Sequence, residues 1–163
     1  MAKQKKTNAM RQLDRAKVDY EIRTFEVGEG HLEGHLEGHE VAALINANSA
    51  EVYKTLVLEN ANHEHFVFVI PVTAHLDMKA AAAAVNEKKL HLMPLDDLKK
   101  VTGYVRGGCS PIGMKTHFPT VINGTIELLD RVFVSAGQRG VQMGLAPHDL
   151  IEMSHAEVKQ VIQ

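Results

Sequence analysis

Fourteen residues, Thr102 to Lys115, read TGYVRGGCSPIGMK and hold four glycines and one proline. Glycine admits positive φ and lets a backbone approach a neighbour closely. Proline lacks a donor and cannot sit inside a helix or a central strand. No regular element survives such a run, so the chain forms a shaped loop here, with helices and strands arranged on either side. An ordinary surface turn needs only one or two residues of this kind. Their density, with Arg106, Lys115, Thr102 and Ser110 interleaved, points instead to a loop whose backbone N–H and C=O groups line a polar ligand site.

With 163 residues and no stretch that reads as a linker, residues 1–163 are expected to form a single domain with a real core. Apolar residues make up 45% of the chain, yet no apolar run approaches the roughly 18 residues that span a membrane, so no membrane partner is expected. MAKQKKTNAM is basic but lacks the apolar stretch of a secretory signal. The one cysteine, Cys109, excludes an intramolecular disulfide and suits a reducing cytoplasm. A net charge of −2 argues against a general polyanion binder, so nucleic-acid contact must come from local patches. Lys3, Lys5, Lys6, Arg11, Arg15 and Lys17 form one such patch, or else a solvated end beside a helix.

Thr7 is placed to cap a helix with Met10, Leu13 and Ala16 on one side. A strand is expected over Tyr20–Val27, then a near-tripled tetrapeptide, GHLEGHLEGHE from Gly30 to Glu40, then a helix over Glu40–Asn46. His31, His35 and His39 have the spacing of a helical metal face, but glycine every four residues weakens such a helix by about 1 kcal/mol each. No cysteine or aspartate nearby completes a ligand set, so no metal is expected. Val52–Glu59 and His65–Val72 read as an antiparallel strand pair, and Leu76–Val85 as a helix. A short strand over Lys88–Met93 and a helix from Pro94 through Lys100, stopping at Gly103, follow. Strands are expected at Pro119–Ile122, Arg131–Ser135 and near Val141, with a turn over Ala136–Gly140. Ser154–Glu157 matches the capping box of a final helix. Several strands are joined too briefly for parallel crossovers. The expected class is α/β of the α+β type: a mixed, mostly antiparallel curved sheet flanked by helices.

Lys54 is the most unusual single residue, because it interrupts VYKTLVL, a strand that otherwise demands burial. Pointed into a cleft it would hold an anion or carry a lowered pKa; on an alternating strand it would merely face solvent. Tyr20, Phe25, Thr55, Ser110, Ser135 and Arg139 are further candidates near strand ends and turns. There is no GxSxG elbow, HExxH, Walker loop or cysteine pair. Cys109 has no histidine partner in sequence and reads as a packed side chain rather than a nucleophile. The carboxylates Asp77, Asp96, Asp97 and Asp130 read as caps or solvated groups.

In combination, KTNAMRQLDRA, VYKTLV, a strand ending IPV, LDMKAAA, TGYVRGGCSPIGMK with FPTVI, and VSAGQRG closely resemble the YbaK/EbsC family of aminoacyl-tRNA deacylases. The resemblance runs in order from about Lys6 to Leu150. The chain is also similar to the insertion-type editing domain of bacterial prolyl-tRNA synthetases. The resemblance implies trans-editing: hydrolysis of the ester between a wrong amino acid and tRNA, above all removal of cysteine from proline tRNA. Cysteine and proline are close enough in size to defeat a size sieve. The family's essential lysine falls on Lys54, followed by Thr55, and its GxxxP loop falls on Gly107–Pro111. Gly107 and Gly108 would supply backbone contacts, and Tyr20, Phe25 and Ser135 match positions that line the pocket.

An aminoacyl ester is already reactive, so positioning and polarisation by a few donors supply much of the barrier reduction. The family precedent is that the substrate cysteine's own thiol attacks its carbonyl, with Lys54 orienting the acyl or terminal nucleotide group. Water attack is the alternative, particularly for an alanyl ester. No cofactor is implied. The implied partners are aminoacyl-tRNA and prolyl-tRNA synthetase, acting with a monomer in the cytoplasm. Two departures stand out: RGVQ, where many relatives have RGLD, puts Gln142 at the acid's position, and the histidine-rich stretch enlarges the loop after Phe25. The competing readings are a non-catalytic module that holds aminoacyl-tRNA or a synthetase, and a nucleotide-phosphate binder using the glycine loop.

Overall fold

The computed structural model describes residues 6–26 and 38–163. The first helix, α1 (Asn8–Arg15), starts where the Thr7 side chain accepts a hydrogen bond from the Met10 amide at 3.1 Å. It buries Ala9, Met10 and Leu13, whereas Ala16 closes the helix on the exposed side. The later helices are α2 (Gly38–Leu44), α3 (Met78–Ala84), α4 (Leu98–Thr102) and α5 (Pro147–Ser154). Asp77 caps α3 by accepting from the Lys79 and Ala80 amides.

Among the described residues, eight strands form two sheets. β1 (Tyr20–Thr24), β7 (Val141–Leu145) and β6 (Val132–Ser135) make an antiparallel sheet in the order β1-β7-β6. The other sheet has the order β4-β2-β3-β5-β8, built from β2 (Tyr53–Glu59), β3 (His65–Pro71), β4 (His91–Leu92), β5 (Thr120–Asn123) and β8 (Glu157–Lys159). β2 and β3 pair antiparallel, as do β2 and β4, while β5 runs parallel to both β3 and β8. The expected mixed, mostly antiparallel arrangement flanked by helices is therefore present, as two sheets joined by a parallel bridge between Val52 and Phe133.

Strand alternation sorts the side chains into three clusters. Tyr53, Val57, Val67, Val69, Val132, Val134, Val141, Met143 and Leu145 face one another in the core between the sheets, closed by α1, α4 and α5. Leu58, Phe66, Phe68 and Ile70 bury the opposite face of the five-stranded sheet under α3. Val52 and Phe133 bury the outer face at the junction under Ala42 and Ile45. Each large side chain so buried contributes about 1.5–3 kcal/mol. Arg23 donates to the Ile45 and Asn46 carbonyls at 3.1 and 3.0 Å, tying the end of α2 to β1.

The C-terminal expectation fails. The capping box at Ser154–Glu157 starts no helix: Ser154 ends α5 by donating to the Leu150 carbonyl at 2.7 Å, and Glu157 opens β8. The real start signal is Pro147, at the head of α5, where its missing N–H costs nothing. The short strand expected over Lys88–Met93 shrinks to His91–Leu92. Val27, His31 and His35 lie outside the described residues, as do Lys3 and Lys5.

Candidate active site

β2 meets two different neighbours along its outer edge. Val52, just before it, bridges Phe133 of β6, and its far end pairs Leu58 with Leu92 and Glu59 with His91 of β4. Lys54 falls between these contacts, opposite Ile70 on β3. Carrying the Val52–Phe133 register two residues along both strands puts Lys54 beside Ser135, on the same face. The gap between β6 and β4 coincides with a half-buried stretch, Lys54, Thr55 and Leu56, between buried Tyr53 and Val57. Lys54 is half-buried and makes no hydrogen bond or ion pair among the described residues. An ammonium held at a sheet junction without a counter-ion is available to an anionic or carbonyl oxygen.

Ser135 pairs with Gln142 across the β6–β7 hairpin, and Gln142 pairs with Arg23 on β1. Gln142 Nε2 donates to Ser135 Oγ at 3.2 Å. Its Oε1 is buried without a partner among the described residues, a deficit that ordinarily costs about 1–3 kcal/mol. A ligand donor would relieve it. Phe25 joins the same end of the hairpin: its amide donates to the Gly140 carbonyl at 2.9 Å, and its ring packs with Ala42, Ile45, Val52 and Phe133.

The glycine-rich loop closes on this hairpin end. A β-carbon on Gly108 would stand 2.9 Å from the Arg139 amide nitrogen and 2.9 Å from the Gln138 carbonyl carbon. Only glycine lets the two backbones approach so closely. Gly107 is exposed, takes φ +84°, and lies against the Arg139 side chain. Beyond it the loop turns inward. Ser110 Oγ accepts from the Ile112 amide at 3.2 Å, and Tyr104 donates its hydroxyl to the Ile112 carbonyl at 2.8 Å. Cys109 packs in the core between the sheets, where burial pushes its thiol up to about 11. It is a neutral packed group near pH 7, not a nucleophile.

Phe25, Ser135, Gly107 and Gly108 thus gather around one end of the β6–β7 hairpin, and Lys54 lies two residues past the bridge that ties its strand to β6. Three expected site residues stand elsewhere. Tyr20 sits opposite Leu145, three register positions from the Arg23–Gln142 pair, or about 10 Å along the strand. Its hydroxyl donates to Asp14 Oδ1 at 2.9 Å, and burial, followed by that bond, raises its pKa. Asp14 is also paired with Lys6, the main cause of its lowered pKa. Thr55 alternates to the face of Tyr53 and Val57, where its Oγ1 is buried without a partner among the described residues. Pro111 lines a cavity of about 310 Å³ with Gln12, Met114, Phe118 and Met153, on the other side of the loop. Gln142 and Arg139, both noted in the sequence, are tied to this end by the structure, through Ser135 and through Gly107 and Gly108. The first was legible only as a departure from a family pattern, and nothing in sequence ties the second to Gly107. Among the described residues no group of three histidine, cysteine or acidic side chains is arranged to hold a metal ion.

The hairpin end thus holds a backbone-rich loop and a buried amide oxygen without a partner, and Lys54, on the adjoining strand, has no partner among the described residues. A model of the aminoacyl-tRNA editing domain matches residues 37–153, and the chain belongs to that family, whose activity is deacylation of aminoacyl-tRNA. Among curated relatives it is 38% identical over 158 residues to EbsC of Enterococcus faecalis, named as a candidate Cys-tRNA(Pro)/Cys-tRNA(Cys) deacylase. That alignment covers 97% of this chain and 94% of EbsC. Two solved structures share the fold. One is the hypothetical protein APE2540, with a TM-score of 0.84, 18% identity, and 96% and 100% of the two chains covered. The other is a candidate trans-editing enzyme for prolyl tRNA synthetase, with a TM-score of 0.81, 17% identity, and coverage of 96% and 95%. Among the described residues, no helix is long and apolar enough to cross a membrane.

Proposed function

We propose that this protein removes cysteine from mischarged proline tRNA, with Lys54 as the catalytic residue and Gly107–Gly108 as the backbone that seats the ester. What supports the reading is the junction itself: Lys54 and Ser135 each lie two residues past the Val52–Phe133 bridge, and Gly108 packs on the turn of the hairpin that carries Ser135. The name of EbsC supports cysteine as the amino acid.

Lys54 Nζ donates to the ester carbonyl or to the terminal nucleotide and holds it still. Loop amides take up the negative charge that develops on the carbonyl oxygen. The attacking group is the thiol of the cysteinyl moiety. A bond forms from Sγ to the carbonyl carbon, the bond to the ribose oxygen breaks, and the thiol proton passes to the departing hydroxyl. Water then opens the four-membered thiolactone to free cysteine. Gln142 Oε1 accepts a hydrogen bond from the substrate, and Ser135 keeps the amide oriented. Phe25 covers the acyl group from the α2 side. The substrate supplies its own nucleophile, so this mechanism asks none of the protein. Docking on prolyl-tRNA synthetase supplies the choice of tRNA, and the deacylase acts as a monomer.

A panel of tRNAs charged with cysteine, alanine, serine and proline tests this. Cysteine should be released fastest, and serine, whose hydroxyl is a weaker nucleophile at neutral pH, at least about tenfold more slowly. Equal rates for cysteine and serine would replace thiol attack by water attack. Binding of all four without release would make the protein a holding module.

A further inference from the structure

We propose that Lys99, Lys100 and Lys115, with Arg11, form a surface that seats the phosphate backbone of the tRNA acceptor stem; this rests on the deacylase reading above. The charge pattern is local. No acidic residue lies between Asp97 and Glu127, while Lys99, Lys100, Arg106 and Lys115 fall within that interval, in a chain whose net charge is −2. The fold then draws these cations together. Lys99 and Lys100 occupy the exposed last turn of α4. The Lys115 amide donates to the Thr102 carbonyl at 2.9 Å, and its side chain lies over Gly103, the residue that ends α4. Asn8 Nδ2 donates to the Gly113 carbonyl at 2.6 Å, bringing the first turn of α1 against the same loop. Arg11, three residues on, projects from that side of the helix.

These four cations make no ion pair or hydrogen bond among the described residues. Four cations elsewhere are committed: Lys6 to Asp14, Arg23 to Glu21, Arg131 to Glu21 and Glu51, Lys159 to Glu157 at 2.9 Å. Arg15, Lys17, Lys79, Lys88 and Lys89 are unpaired too among the described residues; what sets Lys99, Lys100 and Lys115 apart is that they converge on Gly103. Asp96 and Asp97 precede α4, so the surface made by α4, Gly103 and Lys115 is free of acidic residues only from Lys99 onward. It also leads into the loop that carries Gly107, so a duplex lying along it would bring its single-stranded end to that loop. Phosphate neutralisation by lysine needs no base reading, which suits a surface without aromatic side chains.

The test compares the full chain with a Lys99→Ala/Lys100→Ala/Lys115→Ala variant and, as a control, with Lys159→Ala. Cysteinyl-tRNA(Pro) and a short cysteinylated CCA oligonucleotide serve as substrates, at 50, 100 and 200 mM salt. The triple variant should raise KM for the full tRNA about tenfold, with little change in kcat. Its slope of log KM against log salt should fall by about 2–3, given roughly 0.9 per phosphate contact. The advantage of the full tRNA over the oligonucleotide should shrink, and Lys159→Ala should match the parent. An unchanged KM and salt slope, or a loss confined to kcat, overturns the proposal. So does a variant that loses only its response to added prolyl-tRNA synthetase, which makes the patch a protein-docking surface. Retention of uncharged tRNA on filters reads the same surface without any ester. A tenfold weaker binding by the triple variant there upholds the patch even if no deacylation is found.

Discussion

Gly108 and Arg139 touch through their backbones, so closely that a single β-carbon on the glycine would stand 2.9 Å from the arginine amide nitrogen. Gly108→Ala must therefore push the loop off the hairpin turn. Such overpacking ordinarily costs about 1–3 kcal/mol. A displacement of about 1 Å at a positioning site can cost a hundredfold in rate. Thermal melts and single-turnover deacylation of Gly108→Ala should show a modest loss of stability and at least a tenfold loss of rate. A variant with parental activity would remove this loop from the site.

Much of this arrangement was legible in the residues. Glycine and proline density marked the loop, β-rich runs marked β2 and β3, and Lys54 stood out because a lysine in such a strand needs a reason. The partition into two sheets was not legible, because the Val52–Phe133 bridge joins residues 81 positions apart through parallel strands that no local signal connects. Thr55 and Pro111 flank the expected motifs in sequence, but strand alternation and the inward turn of the loop send them to other faces. The error at Ser154–Glu157 came from reading a local pattern where pairing with β5 decides the outcome. Tertiary pairing overrode a weak cap.

Alkaline pH should destabilise the protein by a defined route. Burial pushes Cys109 up to about 11 and Tyr104 up to about 12. Both are raised above their unfolded values, so their contribution is complete below the ordinary thiol value of about 8.5. It is lost progressively as pH rises through the folded values. Chemical denaturation should be flat from pH 7 to 8 and fall steeply above pH 9, and Cys109→Ala should flatten part of that fall. Thiol reagents at pH 8 should label Cys109 only after unfolding; rapid labelling of the folded protein would contradict its packing.

Glu59 works in the opposite direction. It is 4% exposed, and His91 and His65 approach its carboxylate at 3.0 and 3.2 Å. Burial acts to raise its pKa, but the hydrogen bonds from His91 and His63 outweigh burial and hold it below the usual range. A lowered carboxyl contributes stability above its unfolded value, near 4.3, and loses it as pH falls through the folded value. Glu59→Gln should flatten the acid limb of the stability curve below about pH 4 and leave the alkaline limb alone. An acid limb unchanged by this substitution would count against the histidine cage.

Phe133 fills the space above Gly144, its cross-strand partner, where an added β-carbon would meet the ring at 2.4 Å. The guanidinium groups of Arg23 and Arg131 lie 4.7 and 4.9 Å from the ring centre. Because Phe133 also bridges Val52, two residues before Lys54, damage here should reach the site. Phe133→Ala should cost about 3–5 kcal/mol, while Phe133→Leu should retain the fold and still lower the deacylation rate several-fold. Full activity in Phe133→Leu would uncouple the bridge from catalysis.

The central claim is that the ammonium at position 54 acts directly on the ester. Its most direct test is single-turnover release of cysteine from cysteinyl-tRNA(Pro) by the parent protein, Lys54→Ala and Lys54→Arg, with tRNA affinity measured in parallel. Release should fall by at least a hundredfold in Lys54→Ala and recover only in part in Lys54→Arg, while tRNA affinity changes less than about threefold and both variants melt like the parent. Parental release by a folded Lys54→Ala protein would contradict the account.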